Sequence, residues 1–340
     1  MKKKFSVLVL FGFLLSCSAV KEKQTAVQVS PKYQKSIYYD GVSDDLLTAG
    51  LGLSGLRGLA PVLSESPSAA ALRQASYYHQ FKALNDLTKS GGYGGLYGFS
   101  EAQAPISGHE YWSQHRIKAG PLHTVVVQVP DDLNRDQACL VIAPSSGSRN
   151  VFGAVGTSGS WALLQGCAVA YTDKGTGTEV ALTEDNAYQI DGQIISNSEE
   201  GAALLSQHEL HSPSPLHVVQ IHPYSQENPE QYWGQFVLDA AQFGLAVLQS
   251  EHTLSRQQVH VIAASISNGG GAVLRAVEQD ELNHIDAVVA GEPQLNMRHA
   301  YQLKQKQNLR NIETKPLLNV SSLLSLFEPC ASLDKSLATA

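Results

Sequence analysis

The sequence predicts an α/β protein in which helices cover both faces of a mostly parallel sheet. Four continuous apolar runs are typical of strands that a parallel sheet buries on both faces. These runs are ACLVIAP, GCAVAYTD, VHVIAAS and IDAVVAGEP, at residues 138–144, 166–173, 259–265 and 285–293. Segments with a helical pattern lie between them. Because buried strands alternate with helices along the chain, the strands are expected to pair in parallel through helical crossovers.

The composition indicates a folded chain with a substantial core. The 340 residues are 43% hydrophobic and 16% charged, which suits one large domain or two of ordinary size. The formal net charge is −7, and the only run of basic residues is at 2–4. A protein that binds nucleic acid needs a basic surface to displace counterions from the phosphates. We therefore expect no nucleic-acid partner.

The first residues, MKKKFSVLVLFGFLLSC, indicate an export signal. A basic start precedes an apolar stretch at 5–15, which is too short to span a bilayer as a helix and fits the core of a signal peptide. Its end, Leu-Leu-Ser-Cys, resembles a bacterial lipoprotein box. Residues 1–16 are therefore predicted to be a lipoprotein-type signal peptide, and Cys17 is predicted to carry lipid. The alternative is an ordinary secretory signal with an incidental cysteine.

These signals predict an exported, membrane-anchored lipoprotein on the periplasmic or cell-surface side, with the lipid as its only attachment to the membrane. Residues 17–36 are polar and without period, so they are expected to form a tether. Residues 37–120 are predicted to form an N-terminal helical and glycine-rich segment. Residues 121–340 are assigned to the α/β core, which begins with the strand HTVVVQVP at 123–130.

Two helices are predicted from their sequence patterns. The first starts near residue 70 and is predicted to end at Gly91-Gly92. Its apolar residues recur near helical spacing, namely Leu72, Ala75, Tyr78, Phe81 and Leu84. The second covers NPEQYWGQFVLDAAQFGLAVLQSE, where Asn228 is the expected N-cap and Pro229 the first helical residue.

The cysteines and histidines do not form a metal-binding pattern. The chain contains no C-x-x-C pair and no H-E-x-x-H motif, so we expect neither a metal nor any other cofactor. Cys139 and Cys167 lie in neighbouring strand-like runs, and the sequence leaves two alternatives open for them. They form a disulfide, as an oxidising compartment permits, or they are buried thiols.

The chemistry is expected at the carboxyl ends of the strands, where an open α/β sheet binds its ligands. The strand VHVIAAS is followed by ISNGGGAVLRA, which fits a nucleophile elbow, a sharp turn that needs small residues two before and two after the serine. Around Ser267 those positions are Ser265 and Gly269. Ser265 is the competing nucleophile, but it lies deeper in the strand and lacks a following glycine. The alternative is a glycine-rich hinge without a nucleophile.

A nucleophilic serine needs amides that hold the developing oxyanion. The N–H of Asn268, at the start of the predicted helix, is one expected donor. The loop PSSGSR at 144–149 follows an early strand and is expected to supply the second donor, from Ser146 or Gly147. The alternative for this loop is a Ser/Gly turn with no contact. A phosphate-binding loop is excluded, because no Lys or Arg follows the glycines before Arg275.

Several segments together resemble the D-(-)-3-hydroxybutyrate oligomer hydrolases, in order from about residue 39 to the end. They are YDGVSDDLLTAGLG, GGYGGLYG, VIAPSSGSRNVFGAVGT, GCAVAYTDKGTGTE, HPYSQENPEQYWG, ISNGGGAVLRAVEQD and AVVAGEPQ. The resemblance implies an α/β-hydrolase-like serine esterase that cleaves short linear oligomers of 3-hydroxybutyrate, products of polyhydroxybutyrate breakdown, into monomers. The family's catalytic serine lies in the S-N-G-G-G segment, which maps to Ser267.

The C-terminal part of the chain departs from a complete hydrolase. In an α/β hydrolase the acid and the histidine of the triad follow the serine, each on a loop after a later strand. His284 precedes a predicted strand, His299 lies in a helical run, and Glu292 is the one acidic residue at a strand end. We therefore expect a core truncated at the C-terminus, with the triad acid and histidine beyond residue 340. The alternative for the acid is Glu292.

Two basic residues near the expected site bear on the substrate. Arg149 and Lys174 are candidates to attract the free carboxylate of an oligomer, and the alternative for each is a solvated surface charge. The expected partner is thus a small hydroxyester. Two functional alternatives remain, namely a lipid-anchored ligand-binding protein on an α/β scaffold and an esterase of other specificity.

Overall fold

The computed structural model of the chain describes most of the predicted core. The described residues are 35–64, 67–117, 122–176, 179–181, 186–189, 194–196, 229–295, 301–305, 308–312 and 317–332. None of the helices in these ranges combines the length and the apolar character that crossing a membrane requires. Cys17, the predicted signal peptide and Asn228 lie outside the described residues.

The strands fall into three sheets, of which the largest has seven strands in the order β1-β2-β3-β5-β4-β9-β10. The smaller sheets are β6-β7-β8 and β11-β12. In chain order the strands are β1 (Lys35–Tyr39), β2 (Gly108–Arg116), β3 (Leu122–Pro130), β4 (Cys139–Pro144), β5 (Ala168–Thr172), β6 (Glu179–Ala181), β7 (Asn186–Gln189), β8 (Ile194–Ser196), β9 (His260–Ile266), β10 (Ala287–Gly291), β11 (Tyr301–Gln305) and β12 (Asn308–Ile312).

The large sheet is antiparallel in its first half and parallel in its second. Strands β1, β2, β3 and β5 pair antiparallel in that order. Strand β4 pairs parallel with both β5 and β9, and β10 pairs parallel with β9. The four apolar runs of the sequence are these four parallel strands. Their carboxyl ends therefore lie along one edge of the sheet, which is the edge expected to carry the site.

Helices cover both faces of this sheet, so the predicted fold class is confirmed. The helices are α1 (Gly52–Arg57), α2 (Ala69–Leu84), α3 (Ser160–Leu164), α4 (Trp233–His252), α5 (Ser267–Gln279) and α6 (Leu317–Ser332). Buried residues of α1, α2 and α3 share one apolar cluster with the sheet. Buried residues of α4 and α5 share the cluster on the opposite face.

Alternation along the central strands explains this three-layer arrangement. In β4, Val141 and Ala143 face the first cluster, whereas Leu140 and Ile142 face the second. Successive side chains of a strand point to opposite faces, so a strand covered on both sides must be apolar throughout. The apolar runs are thus continuous because the sheet is buried between two helical layers.

Strand β10 departs from its predicted burial. Its apolar run suggested a strand covered on both faces, but Val289 is 61% exposed and Ala287 is also exposed. Among the described residues, β10 pairs only with β9 and is the last strand of the sheet. An edge strand packs against fewer neighbours than a central one, which accounts for its exposure.

Two predicted helix boundaries are wrong. Helix α2 ends at Leu84 rather than at Gly91-Gly92, because Asn85 adopts an extended backbone (φ −116°, ψ 131°) and its Nδ2 donates to Gly156 O at 2.7 Å. The second helix starts at Trp233, four residues later than predicted. The residues before it, Pro229–Tyr232, form a 3-10 turn.

Strands β1 and β2 were missed. Both belong to the part of the chain that was predicted as tether or as helical and glycine-rich segment, and both join the sheet next to β3. Strand β2, GHEYWSQHR, carries polar residues at most positions and so lacks an apolar signal. One of them, Glu110, is fully buried and paired with Arg73 of α2 at 2.7 Å.

Cys139 and Cys167 form a disulfide, which decides between the two alternatives that the sequence left open. Cys139 is the first residue of β4, and Cys167 directly precedes β5. These strands are parallel neighbours with Leu140 opposite Ala168, so the two cysteines lie side by side with their Cα atoms 4.8 Å apart. The bridge joins the two strands whose carboxyl ends lead into the candidate site.

Candidate active site

A sharp strand-to-helix turn places Ser267 at the carboxyl edge of the sheet. Strand β9 ends at Ile266, and α5 begins at Ser267. Ser267 has a φ of +56°, which is uncommon for a residue other than glycine, and its side chain is exposed. Such a conformation costs about 1–3 kcal/mol and is concentrated at functional sites. The predicted turn therefore exists, with the serine at its tip.

The residues around Ser267 explain why the turn needs small side chains. A Cβ atom at Gly269 would collide with the Ser265 side chain and lie 3.0 Å from the Ser145 carbonyl oxygen. Ser265, the competing nucleophile, is 3% exposed, and its Oγ donates to Pro144 O at 2.8 Å. Ser265 thus joins β9 to the end of β4, whereas the side chain of Ser267 faces solvent.

The start of α5 supplies free amides next to Ser267. The first N–H groups of a helix have no intrahelical acceptor and carry the positive end of its dipole. Asn268 is the second residue of α5, so its N–H belongs to this group. The Ser267 carbonyl oxygen, in turn, accepts from Gln294 N at 2.9 Å, which joins the turn to the segment after β10.

The loop after β4 contacts this turn directly. Gly147 N donates to Asn268 Oδ1 at 2.5 Å, and Ser145 N donates to Thr172 O at 2.9 Å. The structure therefore brings together Asn268 and the loop that the sequence proposed as the second oxyanion donor. The two alternatives within the loop differ. The Gly147 N–H is already engaged, whereas the Ser146 N–H has no acceptor among the described residues.

The sequence suggested that Lys174 attracts a substrate carboxylate or is a solvated surface charge. Both predictions are wrong, because Lys174 is buried. It is 0% exposed, follows β5 by two residues and has a φ of +57°. Its Nζ donates to the carbonyl oxygens of Ser145 and Gly147 and to Ser145 Oγ. Burial lowers the pKa of Lys174 to about 7. This structural role was not predicted from the sequence. The available signal was the position of the lysine, which closely follows a strand predicted to be buried.

Arg149 lies at the end of the same loop and is half-buried. Burial lowers the pKa of its guanidinium. Its Nη1 is buried and has no hydrogen-bond partner among the described residues, while Nη2 makes one long contact of 3.5 Å to Ala83 O. The prediction that Arg149 attracts a carboxylate stays a prediction.

The family model for 3HB-oligomer hydrolase (3HBOH) matches residues 14–340. The chain belongs to the 3HB-oligomer hydrolase family. The protein named D-(-)-3-hydroxybutyrate oligomer hydrolase from Polaromonas naphthalenivorans is 36% identical over 329 residues, which cover 87% of this chain and 47% of the relative. The protein of that name from Paraburkholderia xenovorans is 39% identical over 336 residues, which cover 89% and 48%. The chain thus spans about half the length of these relatives.

The solved structures that resemble this member of the 3HB-oligomer hydrolase family are more distant from it than these relatives. Tannin acyl hydrolase from Aspergillus niger is 14% identical and has a TM-score of 0.33, over 57% of this chain and 29% of that one. Candida antarctica lipase A is 11% identical with a TM-score of 0.30, over 56% and 38%. The fold class rests on the strand order and on the helical layers that cover both faces of the sheet.

Among the described residues, neither a carboxylate nor a histidine is hydrogen-bonded to the hydroxyl of Ser267. No side chain in the described part of the chain makes a hydrogen bond to Ser267 Oγ. His284 precedes β10, and burial lowers its pKa. Glu292 is exposed directly after β10, and His299 lies outside the described residues. The expectation that both partners lie beyond residue 340 stays a prediction.

The side chains of the described residues also show which kinds of ligand the site could hold. They contain no group of three or more His, Cys, Asp or Glu side chains arranged to hold a metal ion. The polar groups at the carboxyl edge include the backbone amide of Gly147, the hydroxyls of Ser145 and Ser267, and the amine of Lys174. Amides and hydroxyls of this kind suit the stabilisation of an oxyanion in acyl transfer.

Proposed function

We propose that the chain carries the nucleophile of a serine esterase that hydrolyses short 3-hydroxybutyrate oligomers to monomers. The observation that carries the proposal is Ser267, exposed at a strand-to-helix turn with a φ of +56°, at the carboxyl edge of the parallel strands. Membership of the 3HB-oligomer hydrolase family supplies the substrate class. The chemistry requires a hydroxyl that an ester carbonyl can approach, and the exposure of Ser267 meets that requirement.

The proposed reaction has two halves. Ser267 Oγ attacks the carbonyl carbon of the ester as its proton passes to a general base, and the carbonyl oxygen becomes an oxyanion. Collapse of this intermediate expels the alkoxide of one oligomer unit, which takes up the proton. Water then adds to the acyl-enzyme through a second oxyanion, and the free acid leaves as Ser267 regains its proton. Each cycle consumes one water and one ester bond.

Two backbone amides are proposed to hold the oxyanion. Asn268 N–H is the first, because it lies next to the nucleophile in the first turn of α5. Ser146 N–H is favoured as the second over Gly147 N–H, since the latter donates to Asn268 Oδ1. If Gly147 were the donor, the Asn268 side chain would have to release it when substrate binds.

The general base and its acidic partner are proposed to lie beyond residue 340, as in the order of the α/β-hydrolase triad. Two observations are compatible with this. No described side chain is bonded to Ser267 Oγ, and the side chain is open to solvent on the edge where a histidine would approach. Catalytic assays therefore use the full-length protein, meaning the natural gene product with any residues that follow Ala340.

Hydrolysis of the 3-hydroxybutyrate dimer and trimer tests the function. We expect the full-length protein to release monomer and to react with a fluorophosphonate probe at Ser267. Ser267→Ala should abolish probe labelling and lower kcat by about 10⁴-fold or more, because the nucleophile of a triad carries most of its chemistry. The control is Ser54→Ala, an exposed serine of α1, which should leave both unchanged.

Other outcomes of this assay separate the alternatives. Labelling at Ser267 with turnover of p-nitrophenyl esters or peptides, but not of hydroxybutyrate oligomers, would indicate an esterase or peptidase of other specificity. Binding of oligomer by a folded protein without any labelling would contradict the esterase and support a ligand-binding protein. Equal activity of Ser267→Ala and the natural protein would rule out Ser267 as nucleophile.

We also propose that the protein is exported and anchored through lipid on Cys17. The Cys139–Cys167 disulfide supports an oxidising compartment, in which such bridges persist. Cells grown with labelled palmitate should yield labelled protein in the membrane fraction, and Cys17→Ser should lose both label and membrane association. The matched control is Cys330→Ser. Unlabelled natural protein in the soluble fraction would contradict the anchor.

A further inference from the structure

The loop after β4 is held on two sides. On the side of α5, Gly147 N donates to Asn268 Oδ1, next to the proposed nucleophile. On the side of β5, Lys174 Nζ contacts Ser145 and Gly147, the residues that flank Ser146. The one amide in this segment that is free among the described residues, that of Ser146, therefore lies between two clamps.

The contacts of Lys174 are unusual for a lysine. Its Nζ donates to Ser145 Oγ at 2.6 Å and to Gly147 O at 3.1 Å, in addition to its bond to Ser145 O. The side chain is 0% exposed and lies 5.7 Å from the ring centroid of Trp233. Burying an amine this completely costs free energy unless hydrogen bonds replace its water shell. Here three acceptor atoms of one loop replace it.

The network is complete in both protonation states of Lys174. The pKa of the amine is lowered to about 7, mainly by burial and to a smaller extent by Arg149, whereas Asp173 and Glu230 oppose the shift. A charged ammonium donates to all three acceptors. A neutral amine donates to the two carbonyl oxygens and accepts from the Ser145 hydroxyl. The loop is thus held through the whole range in which Lys174 titrates.

The close Ser145–Lys174 pair is not a second nucleophile and base. A serine activated by a lysine is a known variant of acyl-transfer chemistry, and 2.6 Å is within the required reach. However, Ser145 is 0% exposed, so its hydroxyl has no path to an ester carbonyl. Lys174 is likewise 0% exposed, so the whole pair is closed to a substrate.

We propose that Lys174 is a positioning residue that fixes residues 145–147 against the turn at Ser267 and thereby holds the Ser146 amide in place as an oxyanion donor. This inference rests on the proposed esterase function for its catalytic part. Its structural part is independent, because the clamp exists in the resting protein. A donor that is already in position stabilises the oxyanion more than one that the substrate must first order. Holding the Ser146 amide in position is therefore the role that we assign to the buried lysine.

Amide hydrogen exchange of residues 145–147 tests the clamp without any catalysis. The reporter is the Gly147 N–H, which is protected by Asn268 Oδ1. Lys174→Met keeps an apolar chain of similar length but removes the donors, so exchange at Gly147 should accelerate by about tenfold or more through local opening. Ser145→Ala removes one acceptor and should cause a smaller increase. Lys89→Met, at an exposed lysine, is the control and should change nothing.

Turnover of the hydroxybutyrate dimer tests the catalytic part. Loss of one oxyanion donor lowers kcat by about 10²–10³-fold, so a misplaced donor should lower it by about 10–100-fold with little change in KM. A variant that was merely less stable would retain kcat per folded molecule. We therefore expect Lys174→Met to lower kcat in the natively folded fraction, and Ser145→Ala to lower it less.

The possible results separate this inference from the proposed function. If exchange at Gly147 in Lys174→Met and Ser145→Ala stays within about twofold of the natural protein, Lys174 does not hold the loop and the inference is wrong. Faster exchange with unchanged kcat would equally overturn the positioning role. If the natural full-length protein hydrolyses no ester, the proposed function fails, and the exchange experiment still decides whether the clamp exists.

Discussion

At the scale of single residues, three of the six non-glycine residues with a positive φ in the described part of the chain lie where parallel strands end. Lys174 after β5, Ser267 after β9 and Glu292 after β10 all have a positive φ, of +57°, +56° and +42°. Each costs free energy that the surrounding structure must supply. Their common position at the carboxyl edge agrees with a site built on that edge. For Ser267 the strain has a measurable consequence.

Replacing Ser267 by glycine and by alanine separates strain from chemistry. Glycine adopts a positive φ without steric cost, whereas alanine keeps the Cβ atom that makes this conformation unfavourable. We expect the free energy of unfolding of Ser267→Gly to exceed that of Ser267→Ala by about 1 kcal/mol. Urea titration of the two purified variants measures the difference. At Ser265, where φ is not positive, the same pair should show the opposite order. Equal stability at Ser267 would mean that its backbone is relaxed.

At the scale of elements, the sequence predicts best what is buried on two faces. Strands β4, β5 and β9 are predictable from their apolar runs. These strands are apolar at successive positions because one apolar cluster covers each face of the sheet. The strand-to-helix turn at Ser267 was also predictable, since its small residues are a local requirement of such a tight connection. Patterns of this kind depend on neighbouring residues and not on contacts with distant parts of the chain.

Elements stabilised by distant partners were not predictable. Strand β2 is polar in sequence, and its buried Glu110 is paired with Arg73 of α2. Helix α2 ends early because Asn85 finds an acceptor at Gly156, 71 positions away. The burial of Lys174 has the same origin, since its acceptors belong to a different loop. In each case the deciding contact joins residues that no sequence window contains.

At the scale of the whole molecule, a buried polar network ties the N-terminal segment to the sheet. Arg73 Nη1 pairs with Asp44 Oδ1 at 2.5 Å, and its Nη2 pairs with Glu110 Oε1 at 2.7 Å. Glu110 Oε1 also accepts from Gln128 Nε2 of β3 at 2.6 Å. The Gln128 Oε1 accepts from Tyr171 OH of β5 at 3.0 Å. The network thus runs from the segment before α1 to the centre of the sheet.

Arg73 is the only cation in this network among the described residues, so its removal leaves Glu110 without a counterion in the core. We expect Arg73→Met to lower the free energy of unfolding by about 3–5 kcal/mol, which is the cost of breaking a buried ion pair from one side. Glu110→Gln combined with Arg73→Met should recover part of that loss, because the uncompensated charge is gone. Urea unfolding followed by circular dichroism measures both.

Arg275→Met, which breaks an exposed pair with Glu278, is the control and should have little effect. A small loss in Arg73→Met, with no recovery in the double variant, would mean that apolar packing alone holds the N-terminal segment on the sheet.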